Sequence, residues 1–136
     1  MRLANEAETC RAAADLAKTL KPGVVVALQG ELGAGKSVFA RALMRALGVN
    51  DAAMPSPTFT LIQTYEGQGC NIAHMDWYRL ESVEEIELLG VREYFQPPWI
   101  CLIEWPERAE SLIPPDAIHV RLACIAGDAD ARFLEL

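Results

Sequence analysis

Positive charge is scarce in this chain. Its 136 residues hold 12 Lys and Arg against 19 Asp and Glu, a formal net charge of −7. The few cations are scattered, so the sequence offers no basic face of the kind that grips a nucleic acid backbone. Any link to RNA is therefore expected to run through a partner. Long apolar runs are missing too: none approaches the length of a membrane span. The N-terminus, MRLANEAETC, lacks the basic-then-apolar layout of a secretion signal. A cytoplasmic protein that does not engage a membrane is the expectation. The four cysteines, Cys10, Cys70, Cys101 and Cys124, form no C-x-x-C pair and have no neighbouring cluster at metal-ligand spacing. They are expected to be buried free thiols in a reducing compartment. Repeats and low-complexity tracts are absent.

What remains is enough for one core. Apolar residues make up 51% of the chain, which supports a packed interior, and the length suits a single domain over residues 1–136. Asn5 with Glu8 three positions on reads as a helix N-terminus, followed by an apolar stripe through Ala14, Leu16, Ala17 and Leu20. Val24 to Leu28 is an all-apolar, β-branched run, expected of a central strand buried on both faces. A helix is predicted from Lys36 to Leu47, capped by Gly48. Thr58 to Tyr65 and Cys70 to Asp76 read as a hairpin, which makes the sheet mixed. Ser82 and Glu85 repeat the capping pattern ahead of a short helix ending near Gly90. Trp99 to Glu104 is a further apolar strand ending in an acid. A short helix over Glu107–Ile113 and late strands over Ile118–Cys124 and Arg132–Leu136 complete an α/β pattern with a mixed central sheet flanked by helices.

Chemistry concentrates in Gly30-Glu31-Leu32-Gly33-Ala34-Gly35-Lys36-Ser37, which fits G-x-x-x-x-G-K-[ST] at every fixed position. The glycines let the chain curl so that successive N–H groups, from Gly33, Ala34 and Gly35 into Val38 of the following helix, point at phosphate oxygens. The helix N-terminus favours the same anion. Lys36, placed at an exposed loop–helix junction, is expected to reach the β- and γ-phosphates. The Ser37 hydroxyl is expected to bind magnesium. Such a site needs an acid at the end of a neighbouring strand, and Asp76 and Glu104 both fit. No N-K-x-D segment for guanine is present, so ATP is favoured over GTP. Trp105, next to Glu104, can stack on a base or ribose. His74 reads as a strand-end histidine and not as a catalyst.

At these residues the chain resembles the TsaE (YjeE) family, the ATPase component of bacterial tRNA threonylcarbamoyl-adenosine synthesis. Four segments carry the likeness: GELGAGKS from Gly30, SPTFTL from Ser56, HMDWYRL from His74 and IEWPE from Ile103. They stand in the family's order and spacing, and the likeness fades after about Pro114. The resemblance implies a P-loop NTPase-like fold and ATP with Mg2+ as cofactors. It gives Glu104 the part of the magnesium-linked acid beside Ser37, and Trp105 that of a nucleotide-adjacent ring. It makes Lys36, Asp76 and Glu104 the residues that hydrolysis depends on. It places Thr58 in a switch-like loop near the γ-phosphate, and Thr9 and Arg132 at outer nucleotide contacts. Ser37 departs from the family's frequent Thr while keeping the hydroxyl.

By the same resemblance the chain would act on an assembly of TsaD and TsaB. TsaD transfers the threonylcarbamoyl group to an adenosine beside the anticodon of certain tRNAs, so tRNA would be met only indirectly. Phe59, Trp77, Tyr78 and Tyr94 are candidate aromatic anchors for that contact, with Phe59 the foremost candidate for the core instead. Two other classes share the loop: a small-molecule kinase, which usually carries an arginine-bearing lid, and a nucleotide-dependent binding module without catalysis.

Overall fold

The computed structural model describes residues 1–50, 54–55, 57 and 60–136. Seven strands form one mixed sheet: β1 Arg2–Leu3, β2 Val25–Gln29, β3 Ile62–Glu66, β4 Asn71–Asp76, β5 Trp99–Glu104, β6 Ile118–Ile125 and β7 Asp128–Glu135. Their order across the sheet is β1-β7-β6-β2-β5-β4-β3. The four central strands, β6, β2, β5 and β4, run parallel, and the outer pairings are antiparallel. Three α-helices accompany them: α1 Glu6–Ala17, α2 Lys36–Ala46 and α3 Val83–Leu88.

Alternation along the central strands divides the core in two. Val26, Leu28, Ile100 and Leu102 face α1 and α2, where they meet Ala13, Phe39, Leu43 and Met44. Val25, Cys101, Ile103 and Met75 face the other way, onto Trp77, Ile86, Val91 and Leu112. A continuous apolar run is what a strand covered on both sides requires. The β2 and β5 boundaries accordingly fall within a residue of the expected ones. On α1 the buried line is Thr9, Ala13 and Ala17, at spacing four. These small side chains let the helix lie close against α2. Both predicted N-caps are present: Asn5 accepts from Glu8 N–H at 3.0 Å and Ser82 from Glu85 N–H at 3.2 Å. In each case the glutamate reaches back one residue further than a capping box does, to Ala4 N–H and Glu81 N–H.

Four expectations are corrected. Leu61 has a φ of 70°, outside strand geometry, so β3 starts at Ile62; Thr58 and Phe59 lie outside the described residues. The helix expected over 107–113 is a 3₁₀ segment, Pro106–Leu112, broken at Ala109, where φ is −154°. Strand β7 begins four residues early, at Asp128, because that residue pairs with Ile125 of β6 across the turn. Of the cysteines only Cys101 is buried; Cys10 and Cys70 are half-buried and Cys124 is exposed. Burial pushes the Cys101 thiol well above its ordinary pKa and raises that of Cys70 as well.

The end of α2 docks on the β3–β4 turn, where Gln68 N–H donates to Leu47 O at 2.8 Å. Gly48 makes this approach possible. Its φ is 99°, and a Cβ there would lie 2.7 Å from Gln68 N and 2.8 Å from Gln68 Cβ. Gly69 has a φ of 74° but open space around it. Gly48→Ala should therefore lower unfolding free energy by about 3 kcal/mol, and Gly69→Ala by only about 1 kcal/mol, the backbone strain alone. Urea denaturation of both variants checks this; equal losses would remove the docking argument.

Candidate functional site

Register places the site. Leu28 on β2 pairs with Glu104 on β5, and Glu104 pairs with Asp76 on β4. Two carboxylates thus stand in one row at the carboxyl ends of three parallel strands, where open α/β sheets bind ligands. The loop 30–35 leaves β2 just above that row and feeds α2.

Each loop glycine has its own reason. A Cβ on Gly30 would lie 2.5 Å from the Leu122 carbonyl oxygen on β6, so only glycine lets the loop start so close to the sheet. Gly33 and Gly35 have φ of 83° and 96°, a left-handed geometry that side chains resist. Between them Ala34 is fully buried and its N–H donates to Glu31 O at 3.1 Å. The apex, Leu32, is 70% exposed.

Lys36 is not at the exposed junction expected from the sequence: it is 5% exposed. Its ammonium donates to the Gly30 carbonyl and sits over the Trp105 ring, 3.6 Å from the centroid. Burial lowers the Lys36 pKa, while the carboxylates of Glu104, Glu107 and Asp76, in that order, raise it part of the way back. Trp105 reaches this position through a left-handed backbone, φ 60° and ψ 50°, which for a bulky residue costs on the order of 1–3 kcal/mol.

Both acids are buried and held. The His74 Nε2–H donates to Glu104 Oε2 at 2.7 Å, and Asp76 Oδ1 accepts from Tyr78 N–H at 2.9 Å. His74 thus fixes the Glu104 carboxylate, while its Nδ1 is buried with no hydrogen-bond partner among the described residues. The sequence signal for this role was its position two residues before Asp76, on the same strand face.

A cleft of about 330 Å³ is lined by Leu32, Gly33, Gly35, Lys36, Ser37, Val38, Asp76, Glu104, Trp105 and Arg132. It gathers nearly every residue singled out in the sequence. Thr9 lines a side pocket of about 110 Å³ with Glu6, Gly35, Val38, Ala129, Asp130 and Arg132. Ala34 does not line the cleft: its side chain is buried, its N–H, expected to face phosphate, is held by Glu31 O and its carbonyl by Arg132. Thr58 lies outside the described residues. A roomier groove of about 600 Å³ opens on the other flank of the loop, along Glu31, Leu32, Glu107 and Arg121. It holds neither Asp76 nor Glu104, so the phosphate-type chemistry belongs to the smaller cleft. Among the described residues no group of three or more His, Cys, Asp and Glu could hold a metal ion alone. The donor set in the cleft, a hydroxyl and two carboxylates, suits a hard cation that also binds phosphate oxygens.

Of the aromatic candidates for a partner surface, Trp77 is fully buried in the core, whereas Tyr78 is 37% exposed. Tyr94 packs edge-on against Trp99. No helix among the described residues is long and apolar enough to cross a membrane.

Comparison with known proteins matches residues 3–132 to the family model described as "Threonylcarbamoyl adenosine biosynthesis protein TsaE". The chain is similar to proteins named tRNA threonylcarbamoyladenosine biosynthesis protein TsaE. That of Haemophilus influenzae is 40% identical over 83% of this chain and 69% of the relative. That of Rickettsia bellii is 40% identical over 93% and 87%, and that of Bacillus subtilis 39% over 88% and 73%. The crystal structure of Bacillus subtilis YdiB superposes with a TM-score of 0.81 at 32% identity, covering 98% of this chain and 80% of that one. The architecture is a P-loop NTPase-like fold.

Trp105 touches Lys36, whereas Trp77 is enclosed in the opposite core and Trp99 packs on Tyr94. A phosphate ligand that draws the ammonium away should change Trp105 fluorescence. Titrating ADP into the wild type and into Trp105→Phe checks this. A signal unaltered by the substitution would assign it to another tryptophan.

Proposed function

The chain belongs to the TsaE family of threonylcarbamoyl adenosine biosynthesis proteins, and on that premise we propose that it binds ATP with magnesium over Gly33–Ser37 and hydrolyses it slowly. The observation that carries this reading is the row Leu28, Glu104, Asp76 beneath a loop whose lysine and serine line the same cleft. Loop amides and the α2 N-terminus supply the field for the phosphates. Lys36 moves from the Gly30 carbonyl and the Trp105 ring to the β- and γ-phosphates. Ser37 and Glu104 would hold the magnesium, with His74 fixing the Glu104 carboxylate. Asp76 shapes the γ-phosphate side. Magnesium, when bound, neutralises charge on the transferring phosphoryl group. Thr9 and Arg132 border the outer part of the nucleotide.

In this reading the hydrolysis serves tRNA threonylcarbamoyl-adenosine modification in the cytoplasm, letting a TsaD–TsaB assembly turn over. Leu32, which is exposed, and Trp105, on which Tyr78 packs, line the cleft. Phosphoryl transfer depends on positioning and on charge around the γ-phosphate, so a partner surface laid over that cleft completes the site.

Lys36→Ala should weaken ATP binding by about 2 kcal/mol, roughly thirtyfold. Calorimetry measures it, and near wild-type affinity would remove Lys36 from the phosphate site. Glu104→Gln keeps an acceptor for His74, so the fold should persist while hydrolysis needs more magnesium. Activity against magnesium concentration reads this out, and an unchanged curve at low magnesium would reassign the metal acid.

Linkage requires that partners which alter hydrolysis through the nucleotide site also sense which nucleotide is bound. TsaD with TsaB should bind the ADP form and the form with a non-hydrolysable ATP analogue with different affinities, and should change the ATPase rate. Equal affinities together with an unchanged rate would sink the partner reading.

A further inference from the structure

We propose that Arg132 is a positioning residue: it holds the loop 33–35 in its anion-binding shape by gripping the loop's carbonyls from β7. This rests on the ATP-site reading above and adds to the outer nucleotide contact assigned to the residue there.

Four of the guanidinium's five N–H donors have backbone acceptors. Nε–H donates to Ala34 O at 3.2 Å and Nη2–H to Gly33 O at 3.2 Å. The two Nη1 hydrogens go to Ala129 O at 2.9 Å and Ala131 O at 2.8 Å. The last two acceptors exist because the β6–β7 ladder slips. Cys124 pairs with Arg132, but the next residue, Ile125, pairs with Asp128. Residues 129–131 therefore bulge, and their carbonyls close around the guanidinium while its other edge reaches the loop. Cys124 Sγ, from the neighbouring strand, also lies 3.7 Å from Gly33 O.

The consequence is electrostatic. A loop carbonyl turned into the cleft would present negative charge to a phosphate. In a trans peptide the N–H points opposite the C=O. Seating Ala34 O on Arg132 turns the Gly35 N–H away from the guanidinium and leaves it for an anion. The peptide joining Gly33 and Ala34 is fixed at both ends, its carbonyl on Arg132 and its N–H on Glu31 O. A lysine at position 132 would keep the positive charge but could not fork onto two carbonyls while holding two more.

The test compares Arg132→Lys and Arg132→Ala. Amide hydrogen exchange across residues 30–37 of the nucleotide-free protein is measured first, with β2 and β5 as internal controls for global folding. ADP affinity is measured by calorimetry. Exchange at the Ala34 amide, whose N–H is held by Glu31 O, should rise about tenfold in both variants while the two strands stay protected. ADP should bind about tenfold more weakly in both, with Lys no better than Ala within about twofold. Unchanged loop exchange in both variants, or restoration of wild-type affinity by lysine, would overturn the proposal and leave Arg132 as a plain charge contact. Failure of the wild type to bind ADP would instead remove the ATP reading. The exchange arm uses no nucleotide and would still judge the brace.

Discussion

An ammonium held nearly out of water must be surrounded by groups that tolerate its charge, and the placement of Lys36 constrains everything near it. A backbone carbonyl and an aromatic face touch it, and the carboxylates of Glu104, Glu107 and Asp76 act on it electrostatically. They come from four places in the fold: Gly30 from the loop, Trp105 and Glu104 from the end of β5, Asp76 from the end of β4, Glu107 from the 3₁₀ segment. The parallel register of β2, β5 and β4 brings them together. A one-residue slip of β5 would turn Glu104 to the opposite face and leave the cation facing Ile103. The left-handed backbone at Trp105 is part of the same arrangement, because an extended continuation of β5 would not lay the ring under Lys36.

The two flanks of the sheet then do different things to the loop. The β4–β5 flank supplies negative charge through acids pinned by His74 and by the Tyr78 amide. The β6–β7 flank supplies positive charge, but Arg132 spends it on loop carbonyls. Peptide dipoles at the loop's apex are thereby sorted, with the Gly33 and Ala34 oxygens toward β7 and the Gly35 N–H left free of the guanidinium. An anion-binding nest inside a chain of net charge −7 is reasonable on these terms, because the local field comes from oriented amides and not from the overall charge.

Much of this was legible from residues alone, and the parts that were not have physical reasons. β2 and β5 were readable because burial on both faces demands uninterrupted apolar runs. The loop was readable because its glycines answer steric demands at Leu122 and at two positive φ angles. Strand β1 was missed since two residues carry no periodicity, and only pairing with β7 makes them a strand. Trp77 read as a surface anchor because it follows an acid in a polar-looking motif, but β4 ends there and turns the ring into the core. Lys36 read as exposed because a lysine at a loop–helix junction usually is, and the covering ring lies 69 residues along the chain. The late segment, where the likeness was expected to fade after about Pro114 but the family match runs to residue 132, holds the bulge that closes on Arg132. Bulges follow from strand register, which a local pattern does not display.

Contacts run without a break from the buried ammonium to the surface. Lys36 lies over Trp105, Trp105 packs on Tyr78 with ring centroids 4.7 Å apart, and the Arg108 guanidinium lies 5.5 Å from the Tyr78 centroid. Tyr78 is partly exposed, and its own backbone N–H holds Asp76. Under the proposed reading, phosphate binding removes one partner from the Trp105 face, and a strained residue that loses a stabilising contact is the one most readily shifted. Any displacement of Trp105 is felt first at Tyr78, which also governs the orientation of an acid in the cleft. A surface laid on Tyr78 would therefore meet different packing in the two nucleotide states and would restrain Asp76 in return. Such differential contact is the physical requirement for coupling between a nucleotide and a partner, whatever path carries it.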